Sequence, residues 1–458
     1  MLRESVVKYI DENREEYVKL LGKLVELETV SAWKTSSEME SYAREIAYIL
    51  RERGFKTVVE GFGGHPLIYG ELGKGSIEVA IYNHYDVQPP DPLDKWVSNP
   101  FKLVERNGSL FGRGVADNKG NIAARLAAID ALEKYIDNLD LKIKYVIEGE
   151  EEIGSPTLDK AARARAEWFK ARGGFWETGY VGRDGRLSIP LGFKGMVYVE
   201  VVFRGPRRDL HSGSSPIVPN PIWRLVHFLS LLRDRNGRIT ADWVFEGIKP
   251  LEEAVKLIRE LDPRELEEFK KEIGIAEFVE GASGYEALEK LYLMPSVNVS
   301  GIYGGYGGPG SKTVIPSIAG AKIDIRLVPG QKPERILELF KEFVEEHGFG
   351  DAKIVVHGSY PAGYTKPSEA IVKASVYAGE LVYGNKPRLI PVSAGSGPIY
   401  VYTELAGTPM TGSGVGYYGS KAHAPNENIR FKDFVNGMKH VALTILEFVK
   451  ILGESGKA

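Results

Sequence analysis

Residues 142–155 read KIKYVIEGEEEIGS, and this stretch decides how the rest of the chain is interpreted. Its first half alternates, with Ile143, Tyr145 and Ile147 on one side, which predicts a strand. Four glutamates follow within five residues, at positions 148, 150, 151 and 152. Like charges this close repel each other, so the cluster needs either open water or a cation. Because ligand sites of α/β sheets lie beyond the carboxyl ends of the strands, the position favours a cation over a solvated acidic turn.

A second buried strand is predicted upstream at 76–82 (SIEVAIY), and the polar set NHYD follows it at 83–86. His84 and Asp86 flank one residue, so in an extended segment they share a face. His84 is therefore a candidate metal ligand. Asp86 is a candidate for the catalytic machinery, because a carboxylate that accepts the second ring N–H of a histidine fixes its tautomer. An ordinary structural histidine fits this pattern as well.

A Gly-rich turn at 110–120 (LFGRGVADNKG) leads through Asp117 into a predicted helix with an apolar side. Asp117 therefore lies near a helix N-terminus, where it is either a helix cap or a ligand. Gly112 and Gly114 do not have the GxGxxG spacing of a dinucleotide-binding turn, so a nucleotide site is not expected here.

Composition narrows the function further. The 458 residues carry 59 basic and 62 acidic side chains, a net charge of −3, which gives no electrostatic reason to expect a nucleic acid or an anionic membrane as partner. The chain has no cysteine, so disulfides, thiolate catalysis and cysteine zinc sites are excluded. Any transition metal must be held by His, Asp and Glu side chains.

The N-terminal 30 residues are charged throughout and show helical spacing rather than the apolar centre of a signal peptide. The sequence also contains no run of eighteen apolar residues that would span a membrane. We therefore expect a soluble cytoplasmic protein.

Two domains are expected from the length and from a change of pattern along the chain. Helices and strands alternate over 1–195 and again over 361–458, as in an α/β fold, whereas 196–360 reads as strands and helices without parallel crossovers, an α+β unit. The middle of that unit, 237–292, is charged and helical and reads as an insertion with a Gly-rich tail (SGIYGGYGGPGS). The prediction is one α/β domain interrupted by a smaller α+β domain.

Seven motifs together resemble the M20 family of co-catalytic zinc peptidases and deacylases, in the order of that family and over nearly the whole chain. Several of them look most like the carnosinase-type dipeptidase branch. The motifs are HxDV (84–87), GRGxxDNKG (112–120), EGxEExGS (148–155), DLHSG (209–213), KTVIP (312–316), IRLVP (325–329) and AHxxNE (422–427).

The resemblance implies a di-zinc phosphorylase/hydrolase-like catalytic domain that binds two Zn²⁺ per subunit. It assigns His84 and Glu177 to one ion, Glu152 and His423 to the other, and Asp117 to both. Imidazole and carboxylate ligands suit zinc, and the same ligands also accept Co²⁺ or Mn²⁺. Glu148 and Glu150 receive no task and are expected to be supporting or solvent-exposed groups.

The resemblance also implies roles in turnover. Glu151 matches the general base, and an extended backbone would direct it and Glu152 to opposite sides. His211 and Thr313 match contacts that the lid of a partner subunit makes, the histidine stabilising the oxyanion. Arg326 matches the arginine that binds the substrate carboxylate, and Ser396 is expected near it. The 196–360 unit would therefore be a lid and the dimerisation domain of a homodimer.

One position departs from the pattern. Carnosinase-type dipeptidases usually carry aspartate where this chain has Glu177, which resembles the carboxypeptidase and deacylase branches. The expected function is therefore a metallopeptidase that cleaves small peptides with a free carboxylate, as a dipeptidase or carboxypeptidase. The alternatives are a deacylase of N-acyl amino acids, of the acetylornithine or succinyl-diaminopimelate type, and a metal-dependent binding protein without turnover.

Overall fold

A computed structural model describes residues 2–249 and 251–455, and it has the mixed α/β architecture that the sequence predicted. The helices are α1 (Leu2–Glu26), α2 (Ser36–Arg51), α3 (Lys119–Leu132), α4 (Leu158–Ala164), α5 (Ala166–Phe169), α6 (Pro221–Ser230), α7 (Glu252–Arg259), α8 (Arg264–Ile273), α9 (Gly284–Leu293), α10 (Pro333–Glu346), α11 (Ala370–Tyr383) and α12 (Phe431–Ser455). The strands are β1 (Lys56–Glu60), β2 (Leu67–Gly73), β3 (Ile77–His84), β4 (Val104–Arg106), β5 (Ser109–Phe111), β6 (Leu141–Glu148), β7 (Gly173–Trp176), β8 (Tyr180–Val181), β9 (Leu187–Pro190), β10 (Gly192–Arg204), β11 (Leu210–His211), β12 (Ser296–Gly304), β13 (Val314–Ile315), β14 (Ile318–Leu327), β15 (Lys353–Tyr360), β16 (Gly363–Tyr364), β17 (Arg388–Ile390), β18 (Ser393–Ser396), β19 (Met410–Gly412), β20 (Gly416–Tyr417) and β21 (Asn428–Arg430).

Backbone contacts divide the chain into two units. The first unit comprises Met1–Gly192, Tyr364–Ile390 and Pro398–Ala458, and the second comprises Phe193–Gly363 and Pro391–Gly397. The expected boundaries, 1–195, 196–360 and 361–458, differ from these by three residues at each junction. The expected boundaries did not include the return of 391–397 to the second unit. The return is made by β18, which pairs with β10 in parallel.

The first unit is built on a six-stranded sheet in the order β1-β2-β6-β3-β7-β19. β1, β2 and β6 pair antiparallel, whereas β6, β3, β7 and β19 run parallel to one another. The parallel strands are almost fully buried, because α3, α11 and α12 contact β3 and β7 while α5 contacts β6. Parallel strands bring their carboxyl ends to one edge of a sheet, and this edge positions the candidate site.

The second unit has an antiparallel sheet in the order β12-β14-β10-β15. Alternate residues of β10, Val197, Val199, Val201 and Phe203, are buried on one face. The helices α6 and α10 contribute to the same hydrophobic core, chiefly through aromatic and branched side chains: Leu225, Phe228, Ile336 and Phe340.

One expectation about the second unit needs correction. The 237–292 segment is helical as predicted, with α7, α8 and α9, but the Gly-rich tail assigned to it begins inside β12. The tail was misread because Ser300 to Gly304 contains two glycines, which weaken the strand pattern. No helix of the described residues is long and apolar enough to cross a membrane.

Candidate metal centre

The ends of three parallel strands supply the floor of the site. His84 is the last residue of β3, Glu148 is the last residue of β6, and the two are register partners. Glu177 directly follows β7, the strand on the other side of β3. This strand was not among the predicted ones, because Gly173 and Gly174 conceal it in the sequence. A Cβ on Gly174 would lie 2.4 Å from the carbonyl oxygen of Ala80, so the close strand pairing requires glycine there.

His84 is fully buried and presents its Nε2 atom to two carboxylates. This atom lies 2.9 Å from Asp117 Oδ1 and 3.3 Å from Glu177 Oε2. The other ring nitrogen, Nδ1, is 3.0 Å from the backbone carbonyl oxygen of Asp86 and 3.4 Å from its carboxylate. The carbonyl, rather than the expected carboxylate, is thus the nearer acceptor that would hold Nδ1–H and leave Nε2 for a ligand.

Asp117 faces both histidines. Its Oδ1 contacts His84 as given above, and its Oδ2 lies 3.0 Å from His423 Nε2. The N-cap residue of α3 is Asn118, so Asp117 is not the helix cap that the sequence allowed as an alternative. The Asp117–Asn118 peptide bond is cis.

Glu152 completes the second half of the cluster. Its Oε2 lies 3.1 Å from His423 Nε2 and accepts a hydrogen bond of 3.0 Å from Gln88 Nε2. Gln88 directly follows the HxDV motif, and the sequence had not assigned it a role. Candidate ligand atoms of His84, Asp117 and Glu152 lie within 4.8 Å of one another.

Glu151 lies beside this group, and its carboxylate approaches His84 rather than His423. Its Oε2 is 4.0 Å from His84 Nε2. The backbone over Glu151–Ile153 is a 3₁₀ turn, so the expected extended conformation was wrong, although the two carboxylates do approach different imidazoles. Asp86, which is fully buried, accepts hydrogen bonds from the backbone N–H groups of Glu151 (3.2 Å) and Glu152 (3.0 Å) and thereby holds this turn.

The pKa values of these groups are shifted, because many charged side chains are buried close together. Burial raises the pKa of Glu177 well above its usual range, and raises that of Glu151 to about 8. Burial alone would lower the pKa of His84, but the neighbouring carboxylates, led by Glu177, raise it. Hydrogen bonds to Asp117 and Glu152 raise the pKa of His423 to about 10.

Two further observations test whether a divalent metal suits these residues. Glu152 Oε1 and Glu177 Oε2 are buried and accept no hydrogen bond from any described residue. A buried carboxylate oxygen without a donor is costly unless a cation satisfies it. The group offers two imidazole nitrogens and several carboxylate oxygens, which is the donor set that zinc accepts. The residues therefore fit a divalent metal.

The remaining glutamates of the cluster are structural. Glu148 is buried and accepts a 2.5 Å hydrogen bond from Tyr82 Oη. Glu150 is also buried, and its carboxylate accepts hydrogen bonds from the backbone N–H of His65 (2.8 Å) and from the hydroxyl of Thr157. Neither is a solvent group, so of the two roles expected for them only the supporting one remains.

Arg326 and Ser396 are brought together in the second unit, on β14 and β18. Arg326 Nη1 donates to Ser396 Oγ at 2.7 Å, and its Nε donates to Asp324 Oδ1 at 3.1 Å. The guanidinium is partly exposed, so some of its donors remain available to a ligand.

His211 and Thr313 lie next to each other in the same unit. β11 and β13 pair there, and the Ser212 N–H donates to the Thr313 carbonyl oxygen at 3.3 Å. His211 Nδ1 accepts a hydrogen bond of 3.0 Å from the Gly213 N–H, which leaves Nε2 as the N–H that can act as a donor. Both side chains are exposed.

Comparison with known proteins adds an independent line of evidence. The sequence model of Peptidase family M20/M25/M40 matches residues 80–447. The crystal structure of an M20 family metallo-carboxypeptidase, Sso-CP2 from Sulfolobus solfataricus, is similar with a TM-score of 0.89 and 35% identity, covering 95% of this chain and 99% of that chain. The Beta-Ala-His dipeptidase of Rattus norvegicus is 27% identical, over 98% of this chain and 96% of the relative. The Cys-Gly metallodipeptidase dug1 of Schizosaccharomyces pombe is also 27% identical, over 98% of this chain and 99% of the relative.

Proposed function

The chain belongs to Peptidase family M20/M25/M40, and from that premise we propose that it hydrolyses small peptides with a free C-terminal carboxylate, as a metal-dependent carboxypeptidase or dipeptidase. The observation that carries the proposal is the pair of contacts made by one carboxylate. Asp117 reaches His84 at 2.9 Å and His423 at 3.0 Å, each imidazole with a further carboxylate beside it. Such an arrangement suits two cations that share one ligand.

We assign His84 and Glu177 to one ion, Glu152 and His423 to the other, and Asp117 to both. Two Zn²⁺ per chain are the proposed occupants, with Co²⁺ or Mn²⁺ as substitutes. When bound, such ions polarise the scissile carbonyl and lower the pKa of water. Asp86 supports this side of the site by holding the turn that carries Glu151 and Glu152.

Glu151 is the proposed proton acceptor. Its Oε2 lies 4.0 Å from His84 Nε2, it has no place in the proposed ligand set, and a carboxylate so placed can accept a proton from water. Its carboxylate would take the proton of the attacking water and pass it to the leaving amine. The Glu151 N–H donates a hydrogen bond to Asp86, which fixes the backbone from which the Glu151 side chain extends.

Arg326 is the proposed anchor for the C-terminal carboxylate of the substrate. A guanidinium binds a carboxylate through two parallel hydrogen bonds, which fixes orientation as well as charge. Ser396 and Asp324 hold two of its nitrogens and so restrict the direction of the fork. A substrate whose carboxylate is blocked would leave this charge contact unmade.

The second unit supports a proposal of homodimerisation. α6 exposes Trp223 (63%) and Val226 (46%), and the edge strand β12 exposes Ile302 (65%). An apolar helix face beside an unpaired sheet edge is a surface that another copy of the chain would cover. In such a dimer His211 would donate to the carbonyl oxygen in the partner's site as negative charge develops on it, with Thr313 beside it.

The likeness to a metallo-carboxypeptidase supports a carboxypeptidase. The likeness to two dipeptidases supports a dipeptidase. Glu177 resembles the carboxypeptidase and deacylase branches alike, so a deacylase of N-acyl amino acids is kept as the alternative. The cytoplasmic location expected from the sequence stays a prediction.

A panel of four compounds built on one dipeptide tests the function: the free dipeptide, its N-acetyl form, its C-terminal amide and the N-acetyl form of the last residue alone. A carboxypeptidase cleaves the first two, whereas a dipeptidase cleaves only the first. The amide should be resistant in both cases. Turnover should disappear with a chelator and return with Zn²⁺. Cleavage confined to the N-acetyl amino acid, or activity that survives complete metal removal, would overturn the proposal.

A further inference from the structure

The loop that carries His423 has a backbone conformation that its residues do not favour. Lys421, His423 and Asn426 have φ angles of 55°, 63° and 63°, in the left-handed region, and none of them is glycine. Each such residue costs about 1 kcal/mol or more, and it persists only where the surroundings impose it. The contacts that impose this loop therefore also decide where His423 lies.

The strongest of these contacts is made by Glu427, four residues after His423 and fully buried. Its Oε2 accepts from Arg113 Nη1 at 2.7 Å and from the Gly114 N–H at 3.1 Å. Its Oε1 accepts from the N–H groups of Ala116 at 2.8 Å and Asp117 at 3.1 Å. All four donors lie on the short segment that ends at Asp117.

A second set of contacts holds the same loop from the other side. Asn426 Oδ1 accepts from the Val97 N–H at 2.9 Å, and its Nδ2 donates to the Lys95 carbonyl oxygen at 2.8 Å. Arg113 in turn donates to the Pro89 carbonyl oxygen at 3.1 Å. The Glu427 carboxylate is the group that joins the His423 loop directly to the Asp117 segment.

We infer that Glu427, oriented by Arg113, is a positioning residue that fixes the separation between Asp117 and His423 and so builds the second half of the metal centre. The inference rests on the metal assignment proposed above. An ordinary buried ion pair would stabilise the fold without preferring either ion. Glu427 instead bonds the backbone of one ligand and shares a strained loop with another, whereas His84 and Glu177 are held at strand ends and do not depend on it.

The two ions should therefore respond differently to Glu427→Gln, which keeps the shape but loses the charge. In the full-length chain, stripped of metal and titrated with Co²⁺, we expect the ion held by His84 and Glu177 to lose little affinity, because Asp117 is the one ligand that it shares with the disturbed half. The other should bind on the order of 10–100-fold more weakly, as for other partners of metal ligands. The visible absorption spectrum of Co²⁺ reports the coordination of each ion and separates this effect from a general loss of stability.

Asp433→Asn is the matched control. Asp433 is also a buried carboxylate, it pairs with Arg430, and it lies six residues from Glu427. Among the described residues it has no hydrogen bond to a segment that carries a proposed ligand. This variant should bind both ions as the wild type does. If Glu427→Gln does not fold, Arg113→Lys is titrated instead, with a smaller loss expected at the same ion.

Equal weakening of both ions, or two ions bound with wild-type affinity in a folded Glu427→Gln protein, would overturn the inference. A wild-type chain that binds no pair of ions would contradict the proposed function instead, so the two failures can be told apart.

Discussion

The two histidines of the candidate centre differ sharply in their surroundings. The His84 side chain is 0% exposed and Glu177 beside it 6%, whereas the His423 side chain is 53% exposed. An ion held by the first pair would be shielded from water, and an ion held with His423 would be open to it. We expect the second ion to exchange first, and the same side is the one that Glu427 positions.

Glu151→Gln separates proton transfer from metal binding. Glutamine keeps the size of the side chain but cannot accept the proton, so kcat should fall by about 10²–10⁴-fold, while the metal content stays at the wild-type value because Glu151 is not a ligand. Steady-state kinetics together with elemental analysis measure both quantities. Glu152→Gln serves as the comparison and should lose metal. Near-normal turnover in Glu151→Gln would exclude the proposed role.

At the scale of single residues, the sequence indicated which side chains are candidates for the site but not which contacts hold them. Residues such as His84 and Glu152 stand in motifs whose order identifies them. The role of Glu427 was not visible, because it bonds the Asp117 N–H across 310 positions of the chain. The tautomer of His84 could not be predicted either. It depends on the backbone carbonyl of Asp86, and every residue type has such a carbonyl.

Elements whose side chains alternate were predicted well, and elements built on small residues were not. β3 and β6 follow from their apolar pattern, since branched residues fill their buried faces. β7 and β18 were missed because their sequences, GGFW and SAGS, look like turns. β7 nevertheless positions Glu177, so a strand that the sequence did not reveal places one of the proposed ligands.

One buried histidine, His440, connects α12 to α11. His440 Nε2 donates to the Ser375 carbonyl oxygen at 2.9 Å, and Nδ1 lies 2.9 Å from the Ser413 hydroxyl. Burial lowers its pKa from 6.5 to about 4, with the hydrogen bond to Ser375 opposing the shift. The folded chain thus keeps this ring neutral at a pH where the unfolded chain binds a proton.

The free energy of unfolding should therefore fall as the pH is lowered from 6.5 towards 4, by about 3 kcal/mol from this group alone. Above pH 6.5 the ring is neutral in both states, so this loss of stability is absent. Urea unfolding of the metal-free chain and of His440→Gln at several pH values measures it, since other titrating groups are common to both. The variant should show the shallower slope; parallel curves would show that His440 is protonated in the folded state.

At the scale of the whole molecule, the candidate metal centre belongs to the first unit, and the candidate substrate contacts belong to the second. Arg326, His211 and Thr313 all belong to the second unit, and the proposed dimer would let one chain serve the site of another. Length and a change of pattern predicted two units, but residues 391–397 could not be assigned, because membership in a unit depends on which strand a segment pairs with.

Subunit exchange tests this sharing. Inactive His211→Ala and Glu151→Gln chains, mixed and allowed to exchange, should form heterodimers with one intact site, so that roughly a quarter of the wild-type turnover returns. Introducing Trp223→Glu into both chains should prevent the recovery, because a charge in the apolar α6 surface opposes association. A stable dimer population that recovers no activity would exclude a contribution of His211 to the partner's site.

The central claim is that side chains from distant parts of one chain bind a pair of divalent ions. Crystals of the Zn²⁺-loaded protein, measured on both sides of the zinc absorption edge, test it most directly. We predict two anomalous peaks per chain, one between His84 and Glu177 and one between Glu152 and His423, with Asp117 contacting both. No peak at this strand edge, or His84 and His423 facing separate cavities, would contradict the account.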